Sequence, residues 1–129
     1  MKRNKGFLLD THTFIWSVEG NKRLSEKVKA LISDPTNRVY VSVVTIWEII
    51  IKTQKNKIRF RSDIKSVIEK ADFKLIPIEA KHALAVGILP PYHNDPFDRM
   101  LIAQAKTEKL TLITNDQKVW KYDLRLLKT

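Results

Sequence analysis

Short apolar runs alternate with segments of helical periodicity along the chain. The runs are brief and rich in β-branched or aromatic residues, which predicts strands at 7–9, 39–43, 74–78, 110–114 and 124–127. Pro77 interrupts the third run. Because proline cannot donate a ladder hydrogen bond, this strand is expected at an edge or cut short.

Apolar residues at i, i+3 and i+4 spacing fill the stretches between these runs. They predict helices at 13–18, 44–55 and 80–88, with further helices beginning after Ser25, after Ser62 and at Pro96. Ser25 and Ser62 are expected N-caps. Asp95 precedes Pro96 in the arrangement typical of a helix start, so its first role is expected to be capping.

Strands separated by helices and joined by short connections favour parallel pairing through right-handed crossovers. The predicted fold is therefore a three-layer α/β/α sandwich around a four- or five-stranded, mainly parallel sheet. With 129 residues and no linker or repeat, a single domain over residues 1–129 is expected.

Composition narrows the classes of protein that fit this pattern. Hydrophobic residues make up 43% of the chain, which is enough for a core without metals or disulfides. The sequence has no cysteine, so thiolate metal sites and a cysteine nucleophile are excluded. The basic N-terminus has an apolar run, 7–9, too short for a signal peptide, and no segment is long enough to span a membrane. A cytoplasmic protein is expected.

The formal charge of +10 favours a polyanionic partner such as nucleic acid. A solvated basic surface explains the same surplus equally well. The positive residues concentrate in two stretches, of which the first contains Lys52, Lys55, Lys57, Arg59 and Arg61. No base-reading motif accompanies them, so contacts to a phosphate backbone are the more natural expectation.

Four acidic residues occupy related positions in the predicted fold. Asp10 follows the first strand, and Asp116 lies two residues past Thr114 at the end of another. Glu48 and Asp98 fall early in helices, at 44–55 and after Pro96. In open parallel sheets, ligands bind beyond the carboxyl ends of the strands. The four carboxylates are therefore expected to share one cleft.

Carboxylates that share a cleft repel one another unless a cation neutralises them. Oxygen ligands without cysteine or paired histidines favour Mg²⁺ or Mn²⁺ over zinc. Such an ion binds a phosphate oxygen and lowers the pKa of a bound water, as hydrolysis of a phosphodiester requires. His12, His82 and His93 lack metal-ligand spacing and are expected as surface or hydrogen-bonding residues.

Each acidic residue also has a structural explanation. Asp10 and Asp116 fit as turn residues after strands, and Asp98 fits as a partner of a helix dipole. Glu48 is harder to explain in this way, because the apolar segment TIWEIII surrounds it and an acid there needs a partner. Arg99 is expected to pair with a cleft carboxylate or, as the less favoured option, to contact phosphate.

The motifs that carry these acids are LLDTH, VSVVTIWEI, DPFDRMLIAQA and LITND, in this order. Together they resemble the PIN-domain toxins of the VapC type, over almost the whole chain. The resemblance implies an endoribonuclease that depends on Mg²⁺ or Mn²⁺, with Asp10, Glu48, Asp98 and Asp116 as its catalytic and metal-binding quartet. It also implies a homodimer and a small cognate antitoxin similar to VapB.

Three further residues are expected to flank the quartet. Thr114 matches a position where a hydroxyl residue often supports the site, and Asp95 is a lesser candidate for support. Asn115 stands where arginine is commoner in the family, which removes one possible phosphate contact.

Two other functions compete with the nuclease. A catalytically silent module that regulates through its antitoxin would retain the same acidic pocket. A phosphoacceptor signalling domain needs an acidic pair after the first strand, but only Asp10 stands there. The sequence does not identify the RNA that would be cleaved.

Overall fold

The computed structural model describes residues 6–129, so the basic residues 1–5 lie outside the described part. The strands are β1 (Gly6–Leu9), β2 (Arg38–Ser42), β3 (Lys74–Ile76), β4 (Thr111–Thr114) and β5 (Leu126–Lys128). The helices are α1 (Thr11–Glu19), α2 (Glu26–Ser33), α3 (Val43–Gln54), α4 (Ile64–Lys70), α5 (Ala80–Val86) and α6 (Pro96–Glu108), followed by a short 3₁₀ turn (Val119–Lys121).

The sheet has the strand order β3-β2-β1-β4-β5, and all four pairs of neighbours are parallel. The chain builds the sheet outwards from β1 in two directions, first through β2 to β3 and then through β4 to β5. β3 lies at an edge of the sheet and ends at Ile76, directly before Pro77, as the sequence predicted. A proline inside the strand would lack the N–H that a ladder hydrogen bond needs.

Two hydrophobic clusters pack on opposite faces of the sheet. Side chains alternate along each strand, so Leu9 and Ile113 pack with α1, α2 and α4, whereas Leu8 and Leu112 pack with α6. The three-layer α/β/α prediction is therefore confirmed.

Parallel pairing brings the carboxyl ends of the central strands to one edge of the sheet. Asp10 follows β1 directly, and its N–H donates to the carbonyl of Ile113 in β4 at 3.1 Å. β2 ends at Ser42, where α3 begins, and Thr114 ends β4. The sequence positions that carry the acids therefore come together at this edge.

Two helix starts differ from the prediction. α1 begins at Thr11 rather than Thr13, because Asp10 is its N-cap. α4 is capped by Asp63 and not by Ser62. The Asp63 carboxylate accepts a hydrogen bond from the N–H of Ser66 at 3.2 Å. Both residues have suitable side chains, and only the backbone conformation at the junction decides between them.

No helix in residues 6–129 is long and apolar enough to cross a membrane.

We expect Asp63→Ala to lower the free energy of unfolding by about 1 kcal/mol, because it removes the N-cap of α4. The matched control Ser62→Ala should change it by less than about 0.5 kcal/mol. Urea denaturation of the two variants measures the difference. Equal effects would contradict the assignment of the cap to Asp63.

Candidate active site

The structure brings the four predicted acids into one cleft of about 420 Å³. Asp10, Glu48, Asp98 and Asp116 all line it, and Asp95 adds a fifth carboxylate. Asn115 lies exposed on the rim. The cleft is therefore strongly acidic inside a chain of formal charge +10.

Asp10 is held by the first turn of α1. Its Oδ1 accepts a hydrogen bond from the N–H of Thr13 at 2.8 Å, and the residue is buried. Burial raises the pKa of this carboxyl, while hydrogen bonds from the side chains of Thr114 and Thr13 act against that rise. The hydroxyl oxygen of Thr114 also accepts from the N–H of Asp116 at 3.0 Å. Thr114 thus lies between two of the acids, where the sequence placed it.

Glu48 is fixed by contacts to both of its carboxylate oxygens. Oε1 accepts a hydrogen bond from the Thr11 hydroxyl at 2.5 Å, and the Thr11 hydroxyl lies 3.2 Å from that of Thr45. Oε2 forms an ion pair with the ammonium of Lys52, one helical turn later on α3. Glu48 is only 2% exposed, so these contacts are what make an acid in an apolar helix tolerable.

Lys52 therefore differs from the other basic residues of its stretch. Its ammonium lies in the cleft, 3.8 Å from Oδ2 of Asp95 as well as paired with Glu48. Burial works to lower the pKa of Lys52, but the hydrogen bond and charge of Glu48, with the charges of Asp95 and Asp98, raise it overall. The side chain stays protonated, and it does not extend from the surface towards solvent.

His93 bridges the two remaining members of the quartet. Its Nε2 lies 2.9 Å from Oδ2 of Asp98 and 2.8 Å from Oδ2 of Asp116. Its Nδ1 accepts a hydrogen bond from the N–H of Asp95 at 3.2 Å, which places the proton of the neutral ring on Nε2. The ring is therefore a donor between two carboxylates, and sequence spacing alone had missed its place in the cleft.

Arg99 holds the loop that carries His93. Its guanidinium donates to the carbonyls of Pro90 and Val86 at 2.9 and 3.0 Å and to the Tyr122 hydroxyl at 3.2 Å. Within residues 6–129 it makes no ion pair, so the expected pairing with a cleft carboxylate is wrong. The physical reason is that the end of α5 and the loop after it present several backbone carbonyls to this side chain, which satisfy its N–H donors.

Asp95 caps α6, as its position predicted, and its second carboxylate oxygen faces the cleft. Oδ1 accepts hydrogen bonds from the N–H groups of Phe97 and Asp98, at 2.8 and 3.0 Å, and so caps α6. Oδ2 faces Lys52. The capping also orients the first turn of α6, and with it the Asp98 side chain.

Three residues from α1 and the loop after it complete the cleft. His12, Trp16 and Arg23 line it, and the Arg23 guanidinium lies 5.8 Å from the centroid of the Trp16 ring. The sequence did not mark His12 or Arg23 as part of the site, because neither stands at a strand end. Their exposed side chains add positive or neutral polar groups to one rim of the cleft.

Asp98 is half-buried among the other acids of the cleft. Its pKa is raised to about 7 by burial and by the charges of Asp95, Asp10 and Glu48, although His93 acts against the rise. The contribution of the three neighbouring acids to this rise shows that their charges lack a sufficient counter-charge. A divalent cation held by Asp10, Glu48, Asp98 and Asp116 would supply it, and the all-oxygen donor set fits Mg²⁺ or Mn²⁺.

A second group of acids around a histidine does not fit a metal. His82 is fully buried, and its Nδ1 accepts from the N–H of Glu79 at 3.0 Å while Nε2 lies 2.7 Å from Oε2 of Glu108. The ring therefore carries its proton on Nε2, where an ion would need a lone pair. Lys81 also pairs with Glu108 at 3.1 Å. This group caps α5 and ties it to α6.

The sequence profile of the PIN domain matches residues 7–123, and the chain belongs to the PIN-domain family. The predicted resemblance to PIN-domain proteins is thus confirmed. No curated protein matches the chain by sequence.

Solved structures share the fold at low sequence identity. VapBC2 from Rickettsia felis, bound to a DNA fragment from its promoter, is 17% identical with a TM-score of 0.68, covering 96% of this chain and 98% of that one. A toxin–antitoxin complex from Klebsiella pneumoniae is 19% identical with a TM-score of 0.66, covering 93% and 94%. FitAcB from Neisseria gonorrhoeae is 22% identical with a TM-score of 0.64, covering 94% and 96%.

We expect the metal-free protein to lose stability as the pH rises from about 4 through 7. The raised pKa of Asp98 means that the folded chain holds this proton more tightly than the unfolded chain, so deprotonation disfavours folding. Asp98→Asn removes the part of this dependence that Asp98 contributes, up to about 4 kcal/mol over the whole range at about 1.4 kcal/mol for each pKa unit, whereas the raised pKa of Asp10 acts in both proteins.

Denaturation of both proteins in chelator at pH 5 and pH 8 measures this effect. Parallel pH dependences in the wild type and Asp98→Asn would contradict it.

Proposed function

We propose that this PIN-domain protein is a divalent-metal-dependent endoribonuclease and the toxin of a toxin–antitoxin pair. The observation that carries the proposal is the cleft in which Asp10, Glu48, Asp98 and Asp116 converge without enough positive charge to balance them. Mg²⁺ or Mn²⁺ is the proposed cofactor. A single domain over residues 1–129, located in the cytoplasm, remains part of the hypothesis.

The chain's own residues would hold the ion and keep the carboxylates in place. Hydrogen bonds from Thr13 and Thr114 orient Asp10, and the Thr11 hydroxyl orients Glu48. When bound, the ion supplies polarisation of a phosphate oxygen and a lowered pKa for a coordinated water. The Nε2–H of His93 keeps Asp98 and Asp116 at a fixed separation.

The proposed substrate is RNA, approached through positive charge around the acidic cleft. Lys55, Lys57, Arg59 and Arg61 are exposed and stay candidates for contact with the phosphate backbone. Lys52 and Arg99 are weaker candidates, because their charged groups are occupied by Glu48 and by loop carbonyls.

A small antitoxin similar to VapB is the proposed protein partner. The support is the common fold with VapBC2 and with the Klebsiella pneumoniae toxin–antitoxin complex. Large exposed apolar side chains offer surface for this partner or for the proposed homodimer, among them Trp47, Ile50, Leu84, Ile88 and Tyr92.

We expect Asp10→Asn to reduce RNA cleavage by more than about 100-fold, because it removes a charged ligand of the ion on which catalysis depends. Cleavage by the wild type should vanish in chelator and return with Mg²⁺ or Mn²⁺. The exposed Asp72→Asn is a matched control and should cleave normally. Cleavage that persists in chelator would contradict the metal mechanism, and no cleavage in any metal would favour a silent regulatory module.

We expect a variant with glutamate in place of Lys55, Lys57, Arg59 and Arg61 to bind RNA at least tenfold more weakly than the wild type. The salt dependence of its RNA binding should also be smaller. Mn²⁺ binding should change much less. Filter binding at two salt concentrations measures the effect. Equal RNA affinity in both proteins would exclude this stretch from the substrate groove.

A further inference from the structure

Lys52 occupies an unusual position for a lysine, inside a cleft where a cation is expected to bind. Its ammonium pairs with Oε2 of Glu48 and lies 3.8 Å from Oδ2 of Asp95, and its side chain is only 25% exposed. In residues 6–129, it is the one lysine or arginine that forms an ion pair with a carboxylate of the cleft. The chain itself therefore places a positive charge in the cleft, beside Glu48 and Asp95.

The same contact determines how Glu48 faces the cleft. The Thr11 hydroxyl takes one carboxylate oxygen and Lys52 takes the other, so the carboxylate has a donor on each side. Four residues separate Glu48 from Lys52 on α3, which places both side chains on one face of the helix. Removal of the ammonium would leave a buried carboxylate with one neutral donor.

The position of Lys52 also divides the cleft. Its charge offsets part of the negative charge of Glu48 and Asp95, whereas Asp10, Asp98 and Asp116 have no lysine or arginine partner in the described part of the chain. Two-metal sites hold their ions about 3.5–4 Å apart and need carboxylates for both. An ammonium within hydrogen-bond distance of Glu48 repels a second ion and takes up one of its ligands.

We propose that Lys52 is a positioning residue and a resident counter-cation, which orients Glu48 and restricts the cleft to one divalent ion. This inference rests on the proposed function, since it takes the cleft to be a metal site. With five carboxylates in the cleft, a single divalent ion supplies two positive charges and Lys52 supplies a third.

Counting the Mn²⁺ ions that the intact 129-residue chain binds tests the inference. Titration followed by the electron paramagnetic resonance of free Mn²⁺ should give one ion for the wild type and two for Lys52→Met. Lys52→Arg keeps the charge and should bind one ion. Lys55→Met is the control, since it removes the same charge from an exposed side chain of the same stretch and should also bind one.

Thermal unfolding in chelator gives a second readout that needs no metal. Lys52→Met should unfold several degrees below the wild type, while Lys52→Arg and Lys55→Met should stay close to it. Saturating Mn²⁺ should then raise the unfolding temperature of Lys52→Met more than that of the wild type. If Lys52→Met does not fold, Lys52→Gln keeps an N–H donor without the charge and should likewise bind a second ion.

Two bound ions in the wild type would overturn the inference and leave the proposed function standing. One ion in the wild type and in both neutral variants, with equal affinity, would also overturn it. A wild type that binds no Mn²⁺ would contradict the proposed function and the one-ion limit together. In that case, equal unfolding temperatures of Lys52→Met and Lys55→Met in chelator would overturn the counter-cation role as well.

Discussion

Repulsion among carboxylates at one edge of the sheet is the constraint that shapes this protein. Five acids line a single cleft, and most of them are partly or fully withdrawn from water, which strengthens the repulsion. Three kinds of donor reduce this repulsion: the Lys52 ammonium at Glu48, the His93 imidazole between Asp98 and Asp116, and threonine hydroxyls at Asp10. The charges of Asp95, Asp10 and Glu48 nevertheless add to the effect of burial in raising the pKa of Asp98.

Residues outside the cleft hold the loop and the helix start that carry its side chains. Arg99 fixes loop 87–95 through backbone carbonyls, and this loop delivers both His93 and the capping residue Asp95. Asp95 in turn sets the first turn of α6 and so the direction of Asp98. Each site residue is thus held by a second residue with its own hydrogen bonds, which keeps like charges at defined separations.

The positions of the four acids could be predicted because each one stands at a strand end, within an apolar run or at a helix start that the sequence shows. Asp10 and Asp116 follow apolar runs, Glu48 breaks one, and Asp98 stands after the Asp-Pro start of a helix. His93 and Arg23 have no such landmark, since irregular segments carry no periodicity to place them. For Arg99 the neighbouring Asp98 suggested an ion pair, but its long side chain reaches carbonyls nine and thirteen residues away.

Local chemistry was enough for the alternation of strands and helices and for the cap at Asp95, because periodicity and capping are short-range properties of the chain. The parallel sheet and the convergence of the acids followed from that order of elements, through the general rules for right-handed crossovers and for the carboxyl ends of parallel strands. Only the folded chain decides which positive groups face which acids. Lys52 looks in sequence like one of five exposed basic residues, yet the packing of α3 against α1 and α6 turns it into the cleft. Long flexible side chains have many rotamers, and tertiary contacts select among them.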